Sequence, residues 1–290
     1  VAVKWQLSVR NGLEVLDLAT PASTCSVALH GAQVLSFTPR GERDWLWVSE
    51  KARWDVGTAL RGGIPICFPW FGPHPTKRGF PAHGFARTRV WRLVAVDEVG
   101  GARVRAVFEL RGDDTTSALF PHAFTARTTV IAGEDLELSF EVFNGDSVPF
   151  SFEAALHTYF AVSDCEAIAV EGLGGHTYVD KVSGGDRRLQ AAEPLRISGE
   201  VDRVYQTGGP VTLVDLAGAR SLRLETRGAA STVVWNPGAK KAGALTDVSL
   251  DGFRRFVCLE TGNVDDQRIT VPPGGSHTMS VSYLCVRNRS

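Results

Sequence analysis

Leu136-Glu137-Leu138-Ser139-Phe140-Glu141-Val142-Phe143, preceded by Gly133-Glu134-Asp135, decides the fold class. Leu136, Leu138, Phe140 and Val142 fall on every second position, with Glu137, Ser139 and Glu141 between them. Side chains of an extended backbone alternate between two faces, so this pattern predicts a half-buried strand. Val104, Ala106, Phe108 and Leu110 repeat it against Arg105, Val107 and Glu109, and Leu222 and Leu224 repeat it against Arg223 and Glu225. Turn residues separate such runs. Asn11-Gly12 divides Trp5–Arg10 from Leu13–Leu18, and this dipeptide suits a two-residue hairpin loop, where φ is positive. Gly133-Glu134-Asp135 divides Thr125–Ala132 from Leu136–Phe143, and Gly218 divides Val211–Leu216 from Ser221–Glu225. Pro272-Pro273-Gly274-Gly275 precedes a last strand, Thr278–Val286. Short helical turns are expected near Asp44–Trp54 and Ala239–Leu245, and no stretch keeps helical spacing over several turns. The expectation is an all-β protein: one large antiparallel β-sandwich domain over residues 1–290, with few short helices and functional loops.

Bulk properties exclude several classes. The chain has 290 residues and a formal net charge of -1, which disfavours a nucleic-acid footprint or an anionic membrane surface. No apolar run is long enough to span a bilayer, and no signal-peptide pattern is visible. The five cysteines, Cys25, Cys67, Cys165, Cys258 and Cys285, are widely spaced and include no C-x-x-C. They read as buried thiols in a reducing, cytoplasmic compartment, and not as a disulfide framework or a zinc site.

Leu60-Arg61-Gly62-Gly63-Ile64-Pro65-Ile66-Cys67-Phe68-Pro69-Trp70-Phe71-Gly72 and His83-Gly84-Phe85-Ala86-Arg87 form a segment of a different kind. Prolines and glycines exclude a regular helix or a central strand, and leave a rigid loop with aromatic walls and fixed charges. Such a loop suits an anionic, sugar-like ligand. Arg61 and Arg87 sit within this framework, and a guanidinium fork matches phosphate. Lys77, Arg78 and Arg89 read as solvated. Gly62-Gly63 lacks the glycine-lysine-serine/threonine ending of a nucleotide-phosphate loop. Trp70, Phe71 and Trp235 are candidates for stacking on a sugar face, or core aromatics.

Three polar groups lie in apolar surroundings: His83, His157 within Phe152–Phe160, and Glu260 at the end of Arg255–Leu259. A carboxyl in such a place loses hydration, and its pKa rises toward that of a useful base. A lone histidine in an apolar strand is more often a hydrogen-bonded core residue than a catalyst, and Glu260 could equally cap a strand or pair with an arginine. No ligand spacing supports a metal. His30, His122 and His277 read as ordinary surface or strand histidines.

Arg61-Gly62-Gly63-Ile64-Pro65, His83-Gly84-Phe85-Ala86-Arg87, Ala155-Leu156-His157-Thr158-Tyr159-Phe160, Asp202-Arg203-Val204-Tyr205, Val234-Trp235-Asn236-Pro237 and Cys258-Leu259-Glu260-Thr261-Gly262-Asn263 follow in that order. Together they resemble the glucose-6-phosphate 1-epimerase branch (hexose-6-phosphate mutarotases) of the aldose 1-epimerase superfamily, from about residue 5 to about residue 286. The resemblance implies a galactose mutarotase-like supersandwich with a cleft on one sheet. It implies His157 as general acid and Glu260 as general base. His83 and Asp202 would contact sugar hydroxyls, Trp235 would line the pocket, and Arg61 and Arg87 would meet the phosphate or nearby oxygens. The implied enzyme is an isomerase acting on a sugar phosphate, with no cofactor, no metal and a monomeric state. The sequence departs from the family at Gly238, where relatives often carry an aromatic residue. A mutarotase for unphosphorylated aldoses and a non-catalytic carbohydrate-binding sandwich are the competing readings.

Overall fold

Leu136, Leu138, Phe140 and Val142 are all at most 2 % exposed, while Glu137, Ser139 and Glu141 reach solvent. The strand Leu136–Asn144 lies inside an eight-stranded sheet whose members run Ala169–Glu171, Val211–Asp215, Arg220–Arg227, Ser276–Cys285, Leu136–Asn144, Phe124–Ala132, Arg103–Arg111 and Arg92–Val99 across its width. Its inner face packs on a second eight-stranded sheet. That sheet runs Asp186–Leu189, Thr177–Asp180, Val201–Tyr205, Ser231–Asn236, Phe256–Asn263, Ala154–Leu156 and Ile66–Cys67, with Tyr159–Ala161 also paired to Phe256–Asn263. Val130, Phe140 and Val281 from the first sheet meet Leu156, Phe160, Val234 and Leu259 from the second in one apolar core. A four-stranded sheet, Lys4–Arg10, Leu13–Ala19, Ser23–Ala28 and Gln33–Pro39, adds Leu16, Leu18, Val27 and Phe37 to it. The strand pairs are antiparallel, and the two large sheets make a β-sandwich. The computed structural model describes residues 2–74 and 76–286.

The hairpin expectations follow local chemistry. Asn11 (φ 49°) and Gly12 (φ 87°) both take left-handed backbone between Arg10 and Leu13, which face each other. Ala132 faces Leu136 across Gly133-Glu134-Asp135, and Asp215 faces Arg220 across the Gly218 turn. A helix does form at Gly238–Ala242. Between Asp44 and Trp54 a single turn closes, the Ala52 N–H donating to the Ser49 carbonyl (3.0 Å), and no helix continues from it. There Asp44 Oδ1 accepts the backbone N–H groups of Phe37 (3.0 Å) and Leu46 (2.9 Å), and the Trp45 and Trp47 N–H groups donate to the carbonyls of Phe37 and Tyr159. Partners on neighbouring strands replace the i−4 carbonyl a helix requires. An unanticipated turn, Asp114–Ser117, is nucleated by Asp113 and Thr116, which exchange side-chain and backbone hydrogen bonds.

Glu109 also departs from the alternation. It belongs to the solvent set but is 4 % exposed, roofed by Arg92, Arg111 and Arg127. Among the described residues no disulfide forms, and Cys25, Cys67, Cys165 and Cys258 are buried. No helix among them is long and apolar enough to cross a membrane.

Candidate active site

Strand register assembles the site. Leu156 faces Thr261 and Tyr159 faces Cys258, which places residue 157 opposite residue 260. Next across the sheet, Val233 faces Glu260 and Trp235 faces Cys258, and beyond that Asp202 faces Trp235. Cross-strand partners share a face and every second residue repeats it. His157, Tyr159, Cys258, Glu260, Trp235 and Asp202 therefore stand on one face, turned away from the core. The backbone N–H of His157 donates to the Pro65 carbonyl (2.9 Å), which ties this face to the glycine-proline loop.

His157 Nε2 lies 3.3 Å from Glu260 Oε1. The two residues are 5 % and 1 % exposed. Burial first, then repulsion from His83 where that ring is protonated and from the standing charges of Arg87 and Arg61, push the His157 pKa well below that of a free imidazole. Burial, then the Asp202 carboxylate, push the Glu260 pKa well up, with Arg87 opposing. Both shifts favour a pair that holds one exchangeable proton between an imidazole and a carboxyl. His157 Nδ1 and Glu260 Oε2 are buried with no hydrogen-bond partner in the protein. Atoms of this kind are costly unless a polar ligand meets them.

Half-buried groups ring the pair. His83 takes φ 63° in the loop, and its Nδ1 accepts the Gly72 N–H at 3.3 Å. Burial, with Arg87 and Arg61 nearby, lowers its pKa to about 3, so the ring is neutral and its Nε2–H is a donor. The His83 and His157 ring centroids are 5.6 Å apart, and Phe71 meets His83 edge-on at 4.8 Å. Gly84 (φ 71°) follows. A Cβ there would fall 1.9 Å from the Phe68 carbonyl oxygen, so the loop closes only with glycine. Trp235 meets His157 edge-on at 5.9 Å. Asp202 is raised to about 6 by burial, against the pull of Lys241 and Lys181.

The two loop arginines differ. Arg61 Nε donates to Asp247 Oδ2 (3.0 Å) and its Nη1 to the Tyr159 hydroxyl (2.9 Å), so its charge already has a partner. Among the described residues, Arg87 Nη2 donates only to the Ala82 carbonyl (2.9 Å), and its Nε is buried without a partner. Both act on the same imidazoles, His83 and His157.

The seven residues singled out from the sequence thus fall in one neighbourhood. Trp70 does not join them. It is 6 % exposed, donates from Nε1 to Pro81, and packs on Phe80 and Phe85 in the core. His30 is buried and accepts the Gly57 N–H, and His122 pairs with Asp146, away from the pair. Lys77 and Arg78 are exposed, with the Lys77 ammonium 5.1 Å from the Phe80 ring centre. Gly238 takes φ 59°, and a Cβ there would meet the Glu200 nitrogen at 2.6 Å, so this backbone does not accommodate the aromatic residue expected from the resemblance. Tyr159 and Asp247 were missed. Two residues past His157 on a strand, Tyr159 had a readable signal in the period of two. Asp247, whose segment with Lys240-Lys241 resembles the family's, reaches Arg61 across 186 positions, and nothing in the sequence announces that contact. Among the described residues, no cluster of three His, Cys, Asp or Glu side chains is placed to hold a metal ion.

Comparison with known proteins now decides the family. The aldose 1-epimerase family pattern matches residues 14–284. The chain belongs to the aldose 1-epimerase family. Within this family, it is 35 % identical over 266 residues to an Escherichia coli protein named "Putative glucose-6-phosphate 1-epimerase", covering 90 % of this chain and 88 % of that one. A Cenchrus ciliaris protein of the same name is 33 % identical over 276 residues, covering 91 % and 82 %. The crystal structure of a Salmonella typhimurium protein described as a "putative mutarotase" superposes with a TM-score of 0.91 at 30 % identity, covering 97 % and 93 %. The aldose 1-epimerase fold extends to a galactose mutarotase-like protein of Lactobacillus casei, at a TM-score of 0.74 and 18 % identity over 94 % of this chain and all of that one.

Proposed function

We propose that this protein interconverts the α and β anomers of D-glucose 6-phosphate and related hexose 6-phosphates. The observation that carries the reading is the buried His157–Glu260 pair with the unmatched Arg87 guanidinium beside it. Anomer exchange requires only proton transfers about one carbon. With the pair's one mobile proton carried on His157 and Glu260 ionised, Glu260 takes the proton of the C1 hydroxyl while His157 gives its proton to the ring oxygen. The C1–O5 bond breaks and C1 becomes a carbonyl. Rotation about C1–C2 presents the other carbonyl face, and the transfers reverse. A pair sharing one mobile proton suits a reaction in which each group acts once in each role. The oxidation level of C1 is the same in the hemiacetal and the aldehyde, so the reaction needs no redox cofactor.

The rim supplies binding. Neutral His83 offers its Nε2–H to a sugar oxygen, Asp202 accepts from hydroxyls, and Trp235 lines the pocket. Arg87 is the better seat for the 6-phosphate, because a guanidinium without a carboxylate partner gains most from an anion. The names of the Escherichia coli and Cenchrus ciliaris relatives support a phosphorylated substrate.

Two-dimensional exchange NMR tests the substrate class. The protein should accelerate exchange of glucose 6-phosphate well beyond that of glucose or galactose at equal concentration. Equal acceleration would make it a general aldose mutarotase. No acceleration of any sugar would leave a carbohydrate-binding sandwich.

A further inference from the structure

A catalytic imidazole is ordinarily oriented by a hydrogen bond on its second nitrogen. His157 has no such bond from another described residue: its Nδ1 is buried without one, only its own backbone acts on the ring, and Nε2 faces Glu260. Something else must fix the ring plane. The Tyr159 ring lies parallel to it, centroids 4.8 Å apart and planes 8° apart. Tyr159 is itself immobilised. Trp47 stacks on it at 5.9 Å, Phe256 lies at 5.2 Å and Trp235 at 6.1 Å. Its hydroxyl accepts from Arg61, and Arg61 is anchored to Asp247.

We propose that Asp247, Arg61 and Tyr159 form a brace that sets the plane of the His157 imidazole. Tyr159 is the positioning residue, and Arg61 serves the ring more than the phosphate. The three come from separate stretches: the loop before Ile66–Cys67, the strand Tyr159–Ala161 and the segment after Gly238–Ala242. Only the folded sheet brings them together, and each link is one hydrogen bond or one stacked contact. The role in turnover rests on the proposed anomer exchange; the geometric brace does not.

The test compares Tyr159→Phe, Asp247→Asn, the double variant and Tyr159→Leu with the parent. Each is assayed by exchange NMR on glucose 6-phosphate and on glucose. Each is also labelled at the histidine ring nitrogens and read by long-range proton–nitrogen correlation. Tyr159→Phe and Asp247→Asn should each lower kcat about tenfold on both sugars with KM within about twofold, and Tyr159→Leu about a hundredfold, as expected for a misplaced catalytic group. The double variant should lose no more than the worse single, since both break one chain. The His157 ring resonances should move in every variant. A rise in KM confined to the phosphorylated sugar would overturn the brace and make Arg61 a phosphate ligand. Additive losses, or unchanged kcat, would also overturn it. If the parent accelerates neither sugar, the proposed reaction fails. The ring resonances then decide the brace alone: shifts in Tyr159→Phe and Asp247→Asn uphold it, and an unchanged spectrum overturns it.

Discussion

His157 Nε2 stands 3.3 Å from Glu260 Oε1 because the strands carrying Leu156 and Tyr159 pair with Thr261 and Cys258. A slip of one residue would turn one member into the core and leave the other alone on the cleft face. The chemistry is therefore held by sheet register, with the loop around His83 and Arg87 closing over it.

Arg87 is the proposed seat of the phosphate. Arg87→Gln should raise KM for glucose 6-phosphate about tenfold to a hundredfold, the worth of a charge-assisted hydrogen bond, and leave KM for glucose nearly unchanged. Steady-state exchange rates over a range of each sugar measure both. An equal effect on the two sugars would remove Arg87 from the phosphate seat.

The pH profile follows from the paired shifts. The His157 pKa is lowered and the Glu260 pKa is raised, so the pH window of the singly protonated pair should be widened at both ends. The acid limb, where a second proton enters, should lie below an ordinary imidazole pKa of about 6.5, and the alkaline limb well above an ordinary carboxylate pKa of about 4.3. Glucose is the substrate to use, because its rate carries no phosphate titration. An acid limb at or above 6.5 would contradict the direction assigned to His157.

His83 makes stability depend on pH. Its folded pKa is about 3, below its ordinary value of 6.5. Between those values the unfolded chain binds a proton that the folded chain excludes, so stability falls as pH drops through this window. The slope from this group is at most about 1.4 kcal/mol per pH unit. His83→Asn should flatten urea-derived stability between pH 6.5 and 4 relative to the parent. A slope unchanged by the substitution would show that His83 is not the group excluding the proton.

Gly84 tests the loop closure. Gly84→Ala places a Cβ 1.9 Å from the Phe68 carbonyl at φ 71°, and the backbone must move. The cost should be at least about 2 kcal/mol, seen as a loss of about 4 °C or more in Tm. Gly12→Ala, with open space around its Cβ, controls for the dihedral cost alone and should lose less. Equal losses would remove the steric argument.

The sandwich was legible because alternation such as Leu136–Val142 records which face is buried, and Asn11-Gly12 records where a hairpin turns. His157 and Glu260 were visible as polar residues in apolar strands, and family resemblance joined them. Asp44–Trp54 holds only one turn, and its composition does not reveal that its other backbone partners lie on neighbouring strands. Glu109 misled because three arginines from its own and adjacent strands bury a residue whose position marks it as exposed. The difference between Arg61 and Arg87 was hidden, since Asp247 and Tyr159 reach Arg61 only through tertiary structure.

Two-dimensional exchange NMR on glucose 6-phosphate, run with the parent, Glu260→Gln and His157→Asn, addresses the acid–base pair most directly. The parent should show α/β cross-peaks far above the uncatalysed rate, and each variant should lose about 10²–10⁴ of that acceleration while retaining the native fold by circular dichroism. Near-parental exchange in either folded variant would contradict the assignment of the reaction to this pair.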